Sequence, residues 1–402
     1  MENDKIILVL NCGSSSLKYD VIKMPSRESL GKGLVERIGN EKGVLEQKVK
    51  GQKYKIEERI EDHKKALELV IKAITDKDNG IVKNISEING IGHRVVHGGD
   101  KYASSVLIDD TVIKAIEECI EIAPLHNPPN LIGIKVAQEL MPGLPQVAVF
   151  DTAFHQTMPP HAFLYGIPRK MYEDYKIRRY GFHGTSHRYV AARTLELCKR
   201  DASNTNMITC HLGNGASITA IEKGKSIDTS MGFTPLEGLM MGTRSGSIDP
   251  AIIGYLMDKG MSAQEVMNTL NKKSGLLGLS GISNDMRDVE VAALDGNKDA
   301  QEALDIFTYR IKRYIGSYFA ILDKVDVLVF TGGIGENGWE AREEICRGLE
   351  NLGVLMNYEA NKGIRSKETI VSHPYSPVTV MVVPTNEELQ IAIDVFDLAF
   401  AA

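Results

Sequence analysis

Two stretches set far apart in the chain carry the same plan, and that repetition constrains the fold more than any other feature. In the first, an apolar run from Ile6 to Leu10 breaks into Asn11-Cys12-Gly13-Ser14-Ser15-Ser16 and resumes as an alternating strand through Leu17, Tyr19 and Val21. In the second, Met207 to Leu212 breaks at Gly213-Asn214-Gly215 and resumes as Ala216 to Ile221. Each reads as strand, tight turn, strand, so the chain holds two copies of one α/β plan. Glycine and hydroxyl side chains in such turns let backbone N–H groups close over an anion, and Lys18 adds a positive charge beside Ser14 and Ser16. Gly/Ser turns also serve plain chain reversal, so the rest of the chain has to decide between these uses.

A chain of 402 residues exceeds the size at which one core usually stops growing, which points to two domains and a cleft between them. We place the first at 1–150 with 386–402, and the second, nucleotide-binding domain at 151–385. A net charge of −6 offers nothing to nucleic acid or an anionic membrane. No apolar run reaches the roughly 20 residues that span a bilayer, and Met1 to Lys5 lacks a signal-peptide core, so a cytoplasmic protein is expected. Cysteines 12, 119, 198, 210 and 346 are odd in number and scattered, which implies reduced thiols with neither disulfide framework nor zinc site.

Ser29 to Ile38 and Val44 to Ile56 read as strands, the second folded at Lys50-Gly51-Gln52. Leu67, Val70, Ile71 and Ile74 recur at helical spacing, as do Ile113, Ile116 and Ile120. Gly90 to Asp100 is a short strand that carries Arg94, either solvated on an edge strand or aimed from a strand end at an anionic substrate. Pro124 to Pro129 reads as a rigid loop. Gln146 to Phe150 is a buried strand ending in Asp151, where open α/β sheets place functional groups. Tyr180 to His187 concentrates glycine, imidazole and hydroxyl groups before a helix near Ser186, with Thr185 or Ser186 as its cap. Met241 to Pro250 is a small-residue loop around one arginine, Arg244, which a phosphoryl group could approach closely.

Asp326 to Phe330 is a continuous apolar strand entering Thr331-Gly332-Gly333-Ile334-Gly335-Glu336-Asn337-Gly338, a nucleotide loop in form, with a helix from about Glu340 to Leu352. Gly333, Gly335 and Gly338 also satisfy G-x-G-x-x-G, with Glu359 about 20 residues on, so a dinucleotide site is weighed. Its C-terminal position beside two phosphate-type hairpins argues against it, and no P-loop is present. Val378 to Val383 is a last strand. Glu387 then stands at the start of a closing helix, as a cap or, with an oxygen from Asn11, as a metal ligand.

The segments Asn11 to Lys18, Gly92 to Gly99, Phe182 to His187, His211 to Gly215 and Gly333 to Asn337 resemble, in order and from end to end, the motifs of the acetokinase family. The resemblance implies an α/β fold of duplicated ribonuclease H-like (actin/Hsp70-type) domains, each with a central mixed sheet, and nucleotide in the interdomain cleft. It implies reversible, ATP- and Mg²⁺-dependent phosphorylation of acetate to acetyl phosphate and ADP, with Mn²⁺ as a substitute metal, by a homodimer. On this resemblance Asn11 and Glu387 match the Mg²⁺ positions, Lys18 a phosphate contact and Arg94 the carboxylate contact. Asp151 matches the catalytic acid/base, while His183 and Arg244 match transition-state stabilisers. Val96, Leu125, Phe182 and Pro235 match the pocket for the substrate methyl group. Nucleotide contacts fall on His211, Leu212, Gly213, Asn214, Gly215, Asp285, Met286, Arg287, Gly333, Ile334, Gly335, Glu336 and Asn337.

A carboxylate substrate is already ionised at neutral pH, so Asp151 is expected to position a metal or an active-site group rather than accept a proton. One methylene separates acetate from propionate and is worth roughly 1–3 kcal/mol in an apolar pocket, so a propionate kinase is the near alternative and a butyrate kinase a poorer one. From other classes, an actin- or Hsp70-like ATPase scaffold and a nicotinamide-dependent dehydrogenase are the competing readings.

Overall fold

The structure, a computed structural model, describes residues 4–401; Met1 to Asn3, part of the leader reading above, lie outside them. The chain divides into two compact units, one of 1–156 with 386–402 and one of 157–385.

In the first unit the strands are β1 (Lys5–Cys12), β2 (Ser16–Met24), β3 (Glu28–Glu36), β4 (Gly43–Val49), β5 (Gln52–Glu58), β6 (Ile88–Val95), β7 (Val106–Leu107) and β8 (Gln146–Phe150). They form one sheet in the order β5-β4-β3-β2-β1-β6-β8-β7. The hairpin strands from β5 to β1 are antiparallel, and β1, β6 and β8 are parallel. Strand β1 is apolar on both faces because both are covered. Leu8 and Leu10 face a core with Leu67 and Val70 of helix His63–Ile74, whereas Ile7 and Val9 pack with Ile391 and Val395 of helix Glu387–Ala399. The period of two thus feeds two cores from one strand.

The second unit repeats the plan with β9 (Asn206–Leu212), β10 (Ala216–Glu222), β11 (Lys225–Thr229), β12 (Val327–Thr331), β13 (Thr369–Ile370) and β14 (Thr379–Val382) in the order β11-β10-β9-β12-β14-β13. Again an antiparallel hairpin, β9/β10, leads into parallel neighbours, β12 and β14. The antiparallel half of this sheet and the short helix Gly332–Asn337 after β12 exclude a dinucleotide fold built on Gly333 to Gly338.

Four local expectations are corrected. Arg94 lies on an interior strand, β6, so the edge-strand alternative fails. The Pro124–Pro129 loop gives way at Asn127 to helix Asn127–Leu140, since prolines in a first turn lose no helical hydrogen bond. The helix placed near Ser186 starts at Gly184 and its cap position is His183, in a left-handed conformation with φ 56°; Thr185 and Ser186 are buried inside it. Finally, the stretch after β12 is helical from Gly332, the next helix spans Trp339–Cys346, and the chain reaches Leu352 through a separate 3-10 turn.

Helix Glu387–Ala399 approaches β6 closely because Gly92 has no side chain: a Cβ there would stand 2.3 Å from Ile391 Cγ2. This packing sets Glu387 near the carboxyl end of β6. Gly92→Ala should therefore cost about 1–3 kcal/mol of stability in urea unfolding, as overpacking does, and adding Ile391→Ala should restore part of the loss instead of adding its full cost.

Candidate active site

The parallel strands of the first unit end side by side, and their last residues converge. Arg94 pairs with Val149 of β8, and Leu10 with His93, so Asn11, Arg94 and Asp151 follow one another across the sheet. The Arg94 guanidinium forms an ion pair with the Asp151 carboxylate, lies 3.7 Å from Glu387 Oε2 and donates to Asn11 Oδ1 at 3.4 Å. Asp151 is 1% exposed. Burial opposes the charge on Arg94, but Asp151 and Glu387 outweigh it and raise its pKa. Glu387 is pushed up to about 7, first by burial and then by the like charges of Asp151 and Glu388, against the pull of Arg94.

The helix bearing Glu387 is capped by Asn386, whose side chain accepts from the Leu389 N–H. Capping is therefore not what Glu387 does. Lys18 is ion-paired with Glu388, next along that helix. Asn130 fastens the strand ends: its amide donates to the Cys12 carbonyl at 2.8 Å and accepts from the Val96 N–H at 3.0 Å. The hairpin turn closes through the Gly13 N–H on the Ser16 carbonyl at 2.8 Å, and His63 Nε2 lies 2.7 Å from the Gly13 carbonyl; Ser14 is exposed and Ser16 half-buried. Cys12 is no reactive thiol, since burial pushes its pKa up to about 12. Sequence reasoning missed His63 and Asn130, because a histidine in a helix and an asparagine after two prolines carry no signal until the strand ends are placed.

In the second unit His183 stacks on His211 at 4.2 Å between ring centroids, and its Nδ1 lies 2.9 Å from the Ser217 hydroxyl. Gly215 lets these groups close in: a Cβ there would stand 3.3 Å from His183 Nε2 and 3.5 Å from Arg244 Nη1. Arg244 is half-buried and donates to the Pro235 carbonyl at 3.3 Å. Among the described residues it has no acidic partner, and burial alone lowers its pKa. A guanidinium held in this way is a ready anion receptor.

A cavity of about 910 Å³ in the same unit is lined by Gly213, Asn214, Asp285, Met286, Arg287, Gly333, Ile334 and Asn337. Eight of the residues expected to contact nucleotide are thus brought around one cavity of nucleotide size. Leu212 is buried, and His211, Gly215 and Gly335 do not line the cavity. Glu336 is occupied structurally, accepting from the N–H groups of Gly332 at 3.1 Å and Thr385 at 2.9 Å. Glu290, Glu340 and Arg365 also line the cavity without any motif to announce them; burial and the neighbouring Glu340 push Glu290 up to about 7. Of the apolar wall candidates, Val96 and Phe182 are buried, Pro235 is half-buried and Leu125 is 71% exposed. No group of three or more His, Cys, Asp or Glu side chains forms a metal cage among the described residues.

The acetokinase family model matches residues 6–393. The chain belongs to the acetokinase family. It is 58% identical to an acetate kinase of Clostridium botulinum over 389 residues, covering 96% of this chain and 98% of that one. Acetokinase membership extends to three dimensions. The crystal structure of Porphyromonas gingivalis acetate kinase matches with a TM-score of 0.95 at 48% identity, covering 97% of this chain and 98% of that one. A propionate kinase structure from Francisella tularensis matches with a TM-score of 0.90 at 45% identity, over 97% and 98% of the two chains. The chain is a kinase with a carboxyl group as acceptor, built on two α/β units that repeat one plan. The dehydrogenase and ATPase-scaffold readings fall with this assignment.

Glu387 supplies a test of the electrostatics. Folding raises its pKa from the ordinary 4.5 to about 7, so the folded state disfavours its ionised form. The resulting loss of stability accumulates as pH rises from about 4.5 to about 7 and is constant above. Glu387→Gln should gain on the unmodified protein across that window in urea unfolding; a difference independent of pH would contradict the shift.

Proposed function

We propose that this kinase transfers the γ-phosphoryl group of ATP to acetate, reversibly and in one in-line step, yielding acetyl phosphate and ADP. The observation that carries the proposal is the opposite condition of its two arginines. Arg94 is ion-paired with Asp151 beside Glu387, whereas Arg244, held by the Pro235 carbonyl, has no acidic partner among the described residues. Arg94 takes the substrate carboxylate, and Arg244 takes the charge that spreads over the phosphoryl oxygens. Repulsion between the anionic nucleophile and those oxygens is the barrier to this reaction, and fixed cations lower it without a proton being moved. Acetate needs no base, so Asp151 acts by holding Arg94 rather than as proton acceptor. His183 donates a hydrogen bond to the transferring group, and Lys18 with the Ser14–Ser16 hairpin takes nucleotide phosphate.

Asn11 and Glu387 fit Mg²⁺, with Mn²⁺ as substitute. Their oxygens are hard donors, and a divalent cation would compensate the buried Glu387 carboxylate, which desolvation first and the charges of Asp151 and Glu388 next hold near 7. When bound, the metal supplies neutralisation of phosphate charge. We assign Val96 and Leu125 of the first unit and Phe182 and Pro235 of the second to the substrate methyl group, and the nucleotide to the cavity lined by Gly213, Asp285 and Gly333. Acetate is favoured over propionate because relatives at 58% identity carry the acetate kinase name while the propionate kinase stands at 45%. The protein works in the cytoplasm as a homodimer; helix Ala251–Asp258, which exposes Ile252, Tyr255 and Met257, supports a second copy as its cover.

Acyl phosphate trapped by hydroxylamine, with ATP, Mg²⁺ and acetate, propionate or butyrate in parallel, tests the proposal. The highest kcat/KM is expected with acetate; preference for propionate would move the substrate, and no product with any acid would overturn the reading. Arg244→Ala should lower kcat about 10³- to 10⁵-fold, the scale of an arginine at a phosphoryl transition state, and a near-normal kcat would remove Arg244 from that role.

A further inference from the structure

Behind Arg244 and Pro235 lies a polar clamp that no motif reading touches. Arg179 donates through Nη1 to the carbonyls of Thr229, Ser230 and Met231 at 2.8, 3.2 and 3.3 Å, and through Nη2 to Glu237 Oε1 at 2.8 Å. The Tyr165 hydroxyl donates to Glu237 Oε2 at 2.5 Å and accepts from the Phe233 N–H at 2.8 Å. One arginine, one tyrosine and one glutamate therefore pin the segment 229–237 at both ends and in its middle.

The clamp is built to close tolerance. A Cβ at Gly232 would stand 1.8 Å from Glu237 Oε2 and 2.3 Å from the Tyr165 hydroxyl, so any side chain there would displace the two groups that close the clamp. The Gly232 carbonyl in turn accepts from the N–H groups of Tyr180 and Gly181 at 3.1 and 3.2 Å, the residues leading into Phe182 and His183. The same segment carries Pro235, whose carbonyl accepts from Arg244. Phe182, His183, Pro235 and Arg244 are thus laced to one frame. Apart from the bond between the Phe233 N–H and the Tyr165 hydroxyl, these hydrogen bonds involve a charged group or the backbone of buried residues, which is where loss of a partner costs most.

We propose that Tyr165, Glu237 and Arg179 are positioning residues that set acyl-chain selectivity, by fixing the distance of the Pro235 and Phe182 walls from Arg244. The inference rests on the assignment of those walls to the substrate pocket. Loosening the clamp lets the walls retreat, which makes room for one more methylene and weakens the grip on Arg244, while the nucleotide cavity, built from Gly213, Asp285, Gly333 and Asn337, keeps its shape.

Tyr165→Phe removes the hydroxyl and keeps the ring; Glu237→Gln, which keeps the shape and removes the charge, is the second variant should the first fail to fold. Two readouts are needed. Hydrogen–deuterium exchange should quicken about tenfold or more in peptides spanning 229–237, and stay unchanged in peptides spanning 284–294 and 333–340. In the hydroxylamine assay the acetate-to-propionate ratio of kcat/KM should fall about threefold or more, a fraction of what a methylene is worth in a tight pocket, with the KM for ATP unchanged. Exchange unaltered at 229–237 would overturn the clamp, and an unaltered ratio in an active variant with quickened exchange would overturn its role in selectivity. If the unmodified protein forms no acyl phosphate, the substrate reading fails instead, and selectivity fails with it, while exchange still decides the clamp.

Discussion

The first unit depends on one ion pair, between the half-buried Arg94 and the buried Asp151. Arg94 and Asp151 end adjacent parallel strands, the register that pairs Arg94 with Val149 sets them within reach of each other, and their side chains form an ion pair. Such a pair adds little net stability, yet replacing Arg94 would leave the buried Asp151 charge less well compensated. The pair therefore acts as a constraint: it fixes where the guanidinium points, and with it the positions of Asn11 and Glu387. The elevated pKa of Glu387 comes first from its burial and then from the neighbouring charges of Asp151 and Glu388.

The second unit solves the complementary problem. A cation meant for an arriving anion must be held without being neutralised, and Arg244 is held by a carbonyl and a methionine sulfur instead of a carboxylate. Glu237, two residues beyond the Pro235 that accepts from Arg244, is engaged by Arg179 and Tyr165. Gly215 and Gly232 make both arrangements sterically possible, one beside the reacting groups and one behind them.

Much of this was legible in the sequence. The duplicated hairpins announce the duplicated fold because strand alternation and a Gly/Ser turn are local properties that survive in both copies. Arg94, Asp151 and the glycine-rich residues around the cavity stand at strand ends, where motif and topology coincide. What stayed hidden is what tertiary packing decides. Ser186 looks like a cap but is buried, with its hydroxyl 2.8 Å from His211 Nδ1, and Pro128-Pro129 opens a helix where a loop was expected. Asn130, His63 and the Tyr165–Glu237–Arg179 clamp act across long sequence separations, and no spacing rule reports such contacts. Leu125, drawn into the methyl pocket by resemblance, is largely solvent-exposed.

The central claim is that Asp151 works through Arg94. A double-mutant cycle of Arg94→Ala, Asp151→Ala and the pair, scored by kcat/KM for acetate, tests it most directly. If Asp151 only holds Arg94, the double variant should be no worse than Arg94→Ala, within about threefold. If the two losses multiply, Asp151 has a role of its own in the reaction and the account is wrong.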